Sequence, residues 1–495
     1  MLLLGIDLGT SAIKVSVVDT HTQHVVASAQ YPENESPIIS LQTGWAEQDP
    51  EQWWYDIRQC IIKANASGKY NPADIAAIGI AYQMHGLVVT DVDGKVLRNS
   101  IIWCDSRAVP YGDKAFDSIG HAESLNSLLN SPGNFTAAKL AWVKENEPAL
   151  FAQIAHVMLP GDFVAFKFSG QLTTTPSALS EGIFWDFSTN SVSAKVLDHF
   201  GFDASIIPEI RDVFTSHGEV NAAVARELQL RPGIPVTYKA GDQPNNALSL
   251  NVMRPGEVAT TAGTSGVIYG VADAIAPDPQ SRLNCFAHVN HRSTAQRIGL
   301  LLCINGCGIM NKIIRQWMAP QMSYAAIDAN AAEVAPGSEG ISILPFGNGA
   351  ERMLGNELVG AQIMNLDLNR HSVAHFFRAT QEGIAFSFRY GLDIMRSMGM
   401  HPSLIKAGKA NMFQSQVFTD VFVNVTGVPV ELYNTDGATG AALGAGVGLG
   451  VIAEGDLGKG LEKQALIEPN KQQSYETHYQ RWLQYLQQCM AAEKI

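Results

Sequence analysis

Along most of the chain, apolar residues come in short runs bounded by glycine and polar turns, which predicts buried strands separated by helices. The first run, Leu4-Gly-Ile-Asp-Leu8, passes through a tight Gly9-Thr10-Ser11 turn into a second apolar run that ends at Val18. Thr20-His-Thr-Gln23 then predicts a hairpin return over residues 24–27. Residues 75–81 form a continuous apolar run typical of a buried strand, and 235–240, 341–344 and 429–433 read the same way. Asp49-Pro50-Glu51-Gln52 opens a helix. Asp49 caps it, Pro50 suits the first helical position, and Gln52 stands where a capping-box partner would. Its apolar stripe is Trp54, Ile57 and Ile61. Residues 438–447 predict a helix of small residues, able to pack closely on a neighbour or a flat ligand. Residues 258–269 repeat the opening pattern around Gly263-Thr264-Ser265, about half a chain later. The whole predicts an α/β protein of two similar lobes.

Composition narrows the class. The chain has 495 residues, with 34 Lys+Arg against 47 Asp+Glu and a formal net charge of −13. That length suits about two to four domains. The acidic balance argues against nucleic acid or an anionic membrane as the main partner. Met1–Ile6 is apolar but lacks a basic segment and meets Asp7 at once, so no secretory signal is expected. No apolar run is long enough to predict a transmembrane helix. Six cysteines without a CxxC pair fit a reducing, cytoplasmic setting. Cys303 and Cys307 suggest a metal or redox site or, more plainly, two small buried side chains.

A Gly-Thr-Ser turn between strands suits phosphate. Glycine permits the tight backbone, and the turn's N–H groups and hydroxyls donate to phosphate oxygens. One such turn is equally an ordinary hairpin; two copies favour phosphate binding. No Walker-type or dinucleotide-binding glycine motif is present. Asp7 sits inside an apolar strand, where a carboxylate needs a partner or a purpose. Water-mediated Mg²⁺ coordination beside phosphates is one reading and a turn hydrogen bond the other. Asp242 ends the strand over 235–240, where α/β proteins place ligands, and suits a base that takes a hydroxyl proton. Helix capping next to Pro244 is the alternative. Gln83-Met84-His85-Gly86 ends the 75–81 strand with groups able to bind polyol hydroxyls. Trp103 and Asp105 offer an aromatic face beside a carboxylate, which suits a sugar, although core packing accounts for Trp103 as well.

These motifs together resemble the FGGY carbohydrate kinases, with the xylulose kinases as the nearest branch. The resemblance rests on Leu4–Ser11 with Lys14, Gly44-Trp-Ala-Glu-Gln-Asp-Pro-Glu-Gln-Trp-Trp54, Gln83–Gly86 and Ile102–Arg107. It continues through Phe135–Trp142, Leu159-Pro-Gly-Asp162, Gly241-Asp242, Ala262–Gly266, Leu344-Pro-Phe346, Glu351-Arg352 and Glu382-Gly383, in the expected order. It implies two actin-like ATPase (ribonuclease H-like) lobes with an interlobe cleft, at 1–245 and 246–495. The first would hold sugar and the first phosphate loop, the second the nucleotide and the second loop. It implies MgATP and a small sugar as the partners, with a homodimer as the family's assembly. The activity implied is phosphorylation of a ketopentose, D-xylulose to D-xylulose 5-phosphate. Asp242 would be the catalytic base and Asp7 would lie near Mg²⁺. Gly9, Thr10, Ser11, Lys14, Gly263, Thr264, Ser265, Gly408 and Lys409 would face the nucleotide. Met84, His85, Trp103, Asp105, Asp242 and Gln243 would face sugar. A solvated strand lysine is an equal reading of Lys14.

Three departures bear on these expectations. The nucleotide-side Gly-Gly-Gly-Ala reads Ala407-Gly408-Lys409-Ala410 here. Ser177-Ala178-Leu179-Ser180 lacks the family's aspartate. Gln243-Pro244 follows the base where xylulose kinases tend to have Asn-Ala, a pattern nearer the glycerol-kinase branch. Kinases for L-ribulose, L-fuculose, gluconate or glycerol are therefore rivals, as are a catalytically weak relative that binds sugar or nucleotide and a nucleotide-gated actin-like chaperone or filament protein.

Overall fold

Leu2–Leu8 is the strand around which the first part of the molecule is built. Side chains alternate across a strand. Leu2, Leu4, Ile6 and Leu8 therefore enter one core with Ile57, Ile61, Ile78, Ile80 and Phe163. Leu3 enters a second cluster with Ala441, Ala442 and Leu443 on the opposite face. Asp7 follows the odd-numbered set. Its placement against the Gly437–Gly448 helix is thus a consequence of strand periodicity.

The computed structural model describes residues 1–470 and 474–492, which fall into two units. The first comprises Met1–Met253, Cys285–Gly299 and Thr435–Leu461; the second comprises Arg254–Asn284, Leu300–Asn434 and the chain from Glu462 onward. Helix Asp242–Ser249 runs across the expected boundary at 245, and the first unit takes back the small-residue helix from far downstream.

In the first unit five strands lie in the order Val25–Tyr31, Ile13–Asp19, Leu2–Leu8, Ile75–Tyr82, Val236–Gly241. The first three are mutually antiparallel and the last three parallel. In the second unit the order Ile298–Ile304, Gly266–Ala272, Glu257–Ala262, Leu404–Gly408, Val430–Tyr433 repeats this arrangement, and Lys463–Ile467 extends it. Glu257–Ala262 pairs antiparallel with Gly266–Ala272 and parallel with Leu404–Gly408. The two Gly-Thr-Ser turns thus close equivalent hairpins of two like sheets.

Helix Pro50–Asn65 starts as expected, with the Asp49 carboxylate accepting from Glu51 N–H at 2.9 Å. Gln52 does not complete a capping box; its amide donates to Asp56 one turn on, at 2.8 Å. The small-residue helix packs on its own sheet. A β-carbon built on Gly5 would lie 1.9 Å from Ala438 O, and one on Gly79 would lie 1.9 Å from Ala441 O. Glycine on both strands and alanine on the helix bring the two backbones together. None of the six cysteines forms a disulfide, and no metal-binding group of three or more His, Cys, Asp or Glu occurs among the described residues. No described helix is long and apolar enough to cross a membrane.

Gly79→Ala forces that contact apart and is expected to cost about 1–3 kcal/mol. Gly455→Ala, where an added β-carbon meets nothing within 4 Å, serves as the control. Urea unfolding of both variants measures the difference.

Candidate active site

The three parallel strands of the first sheet end together, so the residues at their carboxyl ends share one edge. Asp7 lies one residue before the end of the first, Gln83-Met84-His85 follows the second, and Asp242 follows the third. Asp242 is the first residue of its helix and Gly241 occupies the cap position, so the aspartate side chain does not act as the cap. Gly241 lets the Met84 side chain approach, since a β-carbon there would lie 2.6 Å from Met84 Cγ and 3.0 Å from Glu181 Oε2.

Asp7 and Asp242 are half-buried carboxylates without an ion-pair partner within 4 Å among the described residues. Burial, with the Asp7 charge adding to it, pushes Asp242 up to about 7, against hydrogen bonds from Gln243. Burial also pushes Asp7 up to about 6, against the Lys14 charge and helped by Asp436. Lys14 is the cross-strand partner of Asp7 and is exposed. Asp436 caps the Gly437–Gly448 helix, accepting from Thr439 N–H at 2.8 Å, and the Gly437 backbone lies against the Asp7 carboxylate.

The first Gly-Thr-Ser turn is tied to this edge by a hydrogen-bonded chain. Trp103 Nε1 donates to Thr10 Oγ1 at 2.9 Å, and that hydroxyl donates to Gln83 Oε1 at 3.1 Å. Gln83 Nε2 donates to Gln48 Oε1 at 2.9 Å, and Gln48 Nε2 closes the ring on Thr10 O at 2.8 Å. The structure thus brings Gly9-Thr10-Ser11, Gln83 and Trp103 together, with Trp103 54% exposed. Gln48 was missing from the expected set; its signal was its place in the Trp-Ala-Glu-Gln-Asp-Pro motif.

Asp105 requires a correction. It is fully buried, its carboxylate grips Arg107 at 2.8 Å and accepts from Ala46 N–H at 2.6 Å, so no oxygen is left for direct sugar contact. Arg107 also reaches Glu47 at 2.7 Å and stacks over Trp45 at 3.8 Å. Asp105 supports the wall that carries Trp103.

Met84 is buried and His85 half-buried. His85 Nδ1 lies 2.9 Å from the Glu181 carbonyl, and its ring meets Phe135 and Phe286. Glu181, not anticipated, is 1% exposed. Tyr82 donates to its Oε1 at 2.5 Å, whereas Oε2 has no hydrogen-bond partner. Burial drives this carboxyl well above the ordinary range, with Asp242 and Asp162 adding to the shift against the Tyr82 hydrogen bond. The carboxylate absent at Ala178 is matched three residues later in the same helix, one turn along.

In the second unit, Gly263, Thr264, Lys312, Tyr324, Asn411 and Gln414 line a cavity of about 470 Å³, within the size range of small-molecule sites. Thr264 and Ser265 are exposed at its turn. Gly308 opens the helix Gly308–Met318 beside that turn, donating to Gly263 O at 2.9 Å; a β-carbon on Gly308 would lie 2.4 Å from the same oxygen. Glu351 braces the preceding loop by accepting from Asn305 and Gly306 N–H groups. Gly408 and Lys409 were expected to face the nucleotide. They end the Leu404–Gly408 strand outside the cavity lining, with Lys409 exposed.

Comparison with known proteins agrees with this layout. The N-terminal domain of the FGGY family of carbohydrate kinases matches residues 2–249, and its C-terminal domain matches 258–451. A xylulose kinase of Klebsiella pneumoniae is 27% identical over 457 residues, covering 89% of this chain and 88% of that protein. The crystal structure of a xylulose kinase from Rhodospirillum rubrum superposes with a TM-score of 0.88 at 26% identity, covering 98% of each chain. A gluconate kinase structure from Lactobacillus acidophilus superposes with a TM-score of 0.89 at 21% identity, covering 99% of this chain and 98% of that one. The fold is that of the actin-like ATPases. With both family domains present in order, the chain belongs to the FGGY family of carbohydrate kinases.

Proposed function

We propose that the protein transfers the γ-phosphoryl group of ATP to the terminal 5-hydroxyl of D-xylulose, with Asp242 as the general base. The observation that carries this reading is Asp242 itself. It stands at a strand's carboxyl end, in the first turn of a helix, with its carboxyl raised to about 7. A base whose pKa lies near the working pH takes a hydroxyl proton effectively while a substantial share of it stays ionised. Met84, His85, Trp103 and Gln243 would surround the sugar, and Gly9, Thr10, Ser11 and Lys14 would face the transferring phosphoryl. In the second unit, Gly263, Thr264, Ser265 and Lys312 would hold nucleotide phosphates, with Tyr324 and Asn411 toward the base.

Asp7 and the nearby Asp436 are acidic groups facing one lysine, and they fit a cation better than they fit each other. Asp7 would hold Mg²⁺, which keeps several waters and neutralises phosphate charge when bound. The remaining work falls to positioning and to hydroxyl and amide donors, because phosphoryl transfer asks little covalent chemistry of the protein. A D-xylulose substrate is supported by relatives named xylulose kinase that span most of the chain. Gluconate is the second reading, on the equally close superposition of a gluconate kinase.

ADP release across a panel of D-xylulose, L-ribulose, L-fuculose, gluconate and glycerol tests the substrate. D-Xylulose is expected to give the highest kcat/KM, and a rate no greater than the sugar-free background overturns the assignment. Asp242→Asn is expected to keep sugar binding and lose about 10²–10⁴ in kcat; near-normal turnover would remove Asp242 from the role. Because the ionised form accepts the proton, turnover is expected to fall as pH drops through about 7. Asp7→Asn removes a neighbouring negative charge, so its residual activity should show that acid limb at lower pH.

A further inference from the structure

The segment Phe135–Trp142 contains a lysine that the proposed chemistry does not use. Lys139 lies in helix Thr136–Asn146 and is completely buried. Its ammonium donates to two main-chain carbonyls, His85 O at 2.8 Å and Ile102 O at 3.0 Å. Thr136, one turn earlier, also donates to His85 O, at 3.3 Å. No carboxylate of the described residues lies within ion-pair distance of Lys139. Burial accordingly pulls its ammonium down to about 7, against the distant charge of Asp105.

A buried, unpaired ammonium is costly, and a methionine would fill similar space without that penalty. Both of its acceptors stand at the ends of segments that bear pocket side chains. His85 O belongs to a residue in the left-handed region, at φ 63°, a conformation held only where the surroundings enforce it. Ile102 immediately precedes Trp103. The lysine therefore spans the two walls, joining segments 17 residues apart by a single side chain.

We propose that Lys139 is a positioning residue for the acceptor sugar, setting the separation between the Met84–His85 wall and the Trp103 wall by holding one carbonyl of each. The inference rests on the reading that these walls hold the sugar. In the full-length enzyme, Lys139→Met is expected to raise the sugar KM about 10- to 100-fold, the scale of lost charge-assisted hydrogen bonds. The KM for ATP should change less than about threefold on the same scale. Lys139→Ala should behave likewise and regain sugar affinity with added n-propylammonium, but not with tetramethylammonium, which has no N–H donor. General core damage would lower the melting temperature without donor-dependent rescue.

A folded Lys139→Met enzyme with an unchanged sugar KM overturns the inference. Should neither lysine variant fold, the near-isosteric Thr136→Val decides. A sugar-specific rise in KM supports the strut, and no change overturns it. His85→Ala and Trp103→Ala separate the two levels. If neither alters the sugar KM, the assignment of the walls is at fault; if both do and the lysine variants do not, only the strut fails.

Discussion

Keeping two carboxylates close together in a poorly hydrated site, with little positive charge to offset them, is the constraint around which the first unit is arranged. The Asp7 charge raises the proton affinity of Asp242, and burial raises that of both. What tolerates them is geometry. Asp242 begins a helix, where the aligned peptide dipoles favour a negative group. Asp7 abuts the first residue of another helix at Gly437. That helix reaches Asp7 only because Gly5 and Gly79 let it settle onto the sheet. The glycines of the core and the acid of the site therefore belong to one packing arrangement.

Pairing separates the charges that build this unit from those left ready for chemistry. Lys239 and Asp162 bind each other at 2.5 Å with almost no exposure. Arg98, Arg107, Glu47 and Asp105 form a mutual network. Such groups hold one another in place, and removing one partner strands the other. Asp7 and Asp242 lack that neutralisation, Glu181 has only the His85 ring at 3.9 Å, and all three show raised carboxyl affinity for protons. Carboxyls with raised proton affinity gathered near one sheet edge mark a candidate functional site.

The sequence made the hairpins, the Asp49 cap and the strand-end position of Asp242 legible, because each depends on residues close together along the chain. Orientation was not legible. Asp105 and Trp103 are two residues apart, yet one is fully buried and the other mostly exposed, since an arginine two residues further on turns the aspartate inward. Contacts over long separations were equally hidden. Glu181 meets Tyr82 across 99 residues, Gln48 meets Thr10 across 38, and Lys139 meets His85 across 54. Several motifs quoted for the family resemblance prove to be braces. Glu382 accepts from Gly337 and Ser338, Asp162 neutralises Lys239, and Glu351 holds the loop before Gly308. A motif marks a constrained position without saying whether the constraint is chemical or mechanical.

The repeated sheet sharpens the division of labour. Both units carry the same strand order and a Gly-Thr-Ser turn at the same hairpin. Two residues before the first turn's glycine stands Asp7; the corresponding residue of the second is Thr261. A threonine there donates and accepts without charge, so no carboxylate stands at that position of the second turn. Its own cavity is lined by a cation, Lys312, and an acid, Asp328. The proposed base Asp242 and its neighbour Asp7 both belong to the first unit. A repeated backbone thus supplies two Gly-Thr-Ser turns that differ in one side chain beside them, Asp7 against Thr261. With a net charge of −13, the protein cannot attract a nucleotide by overall field. An anionic ligand at either turn would depend on local N–H and hydroxyl donors.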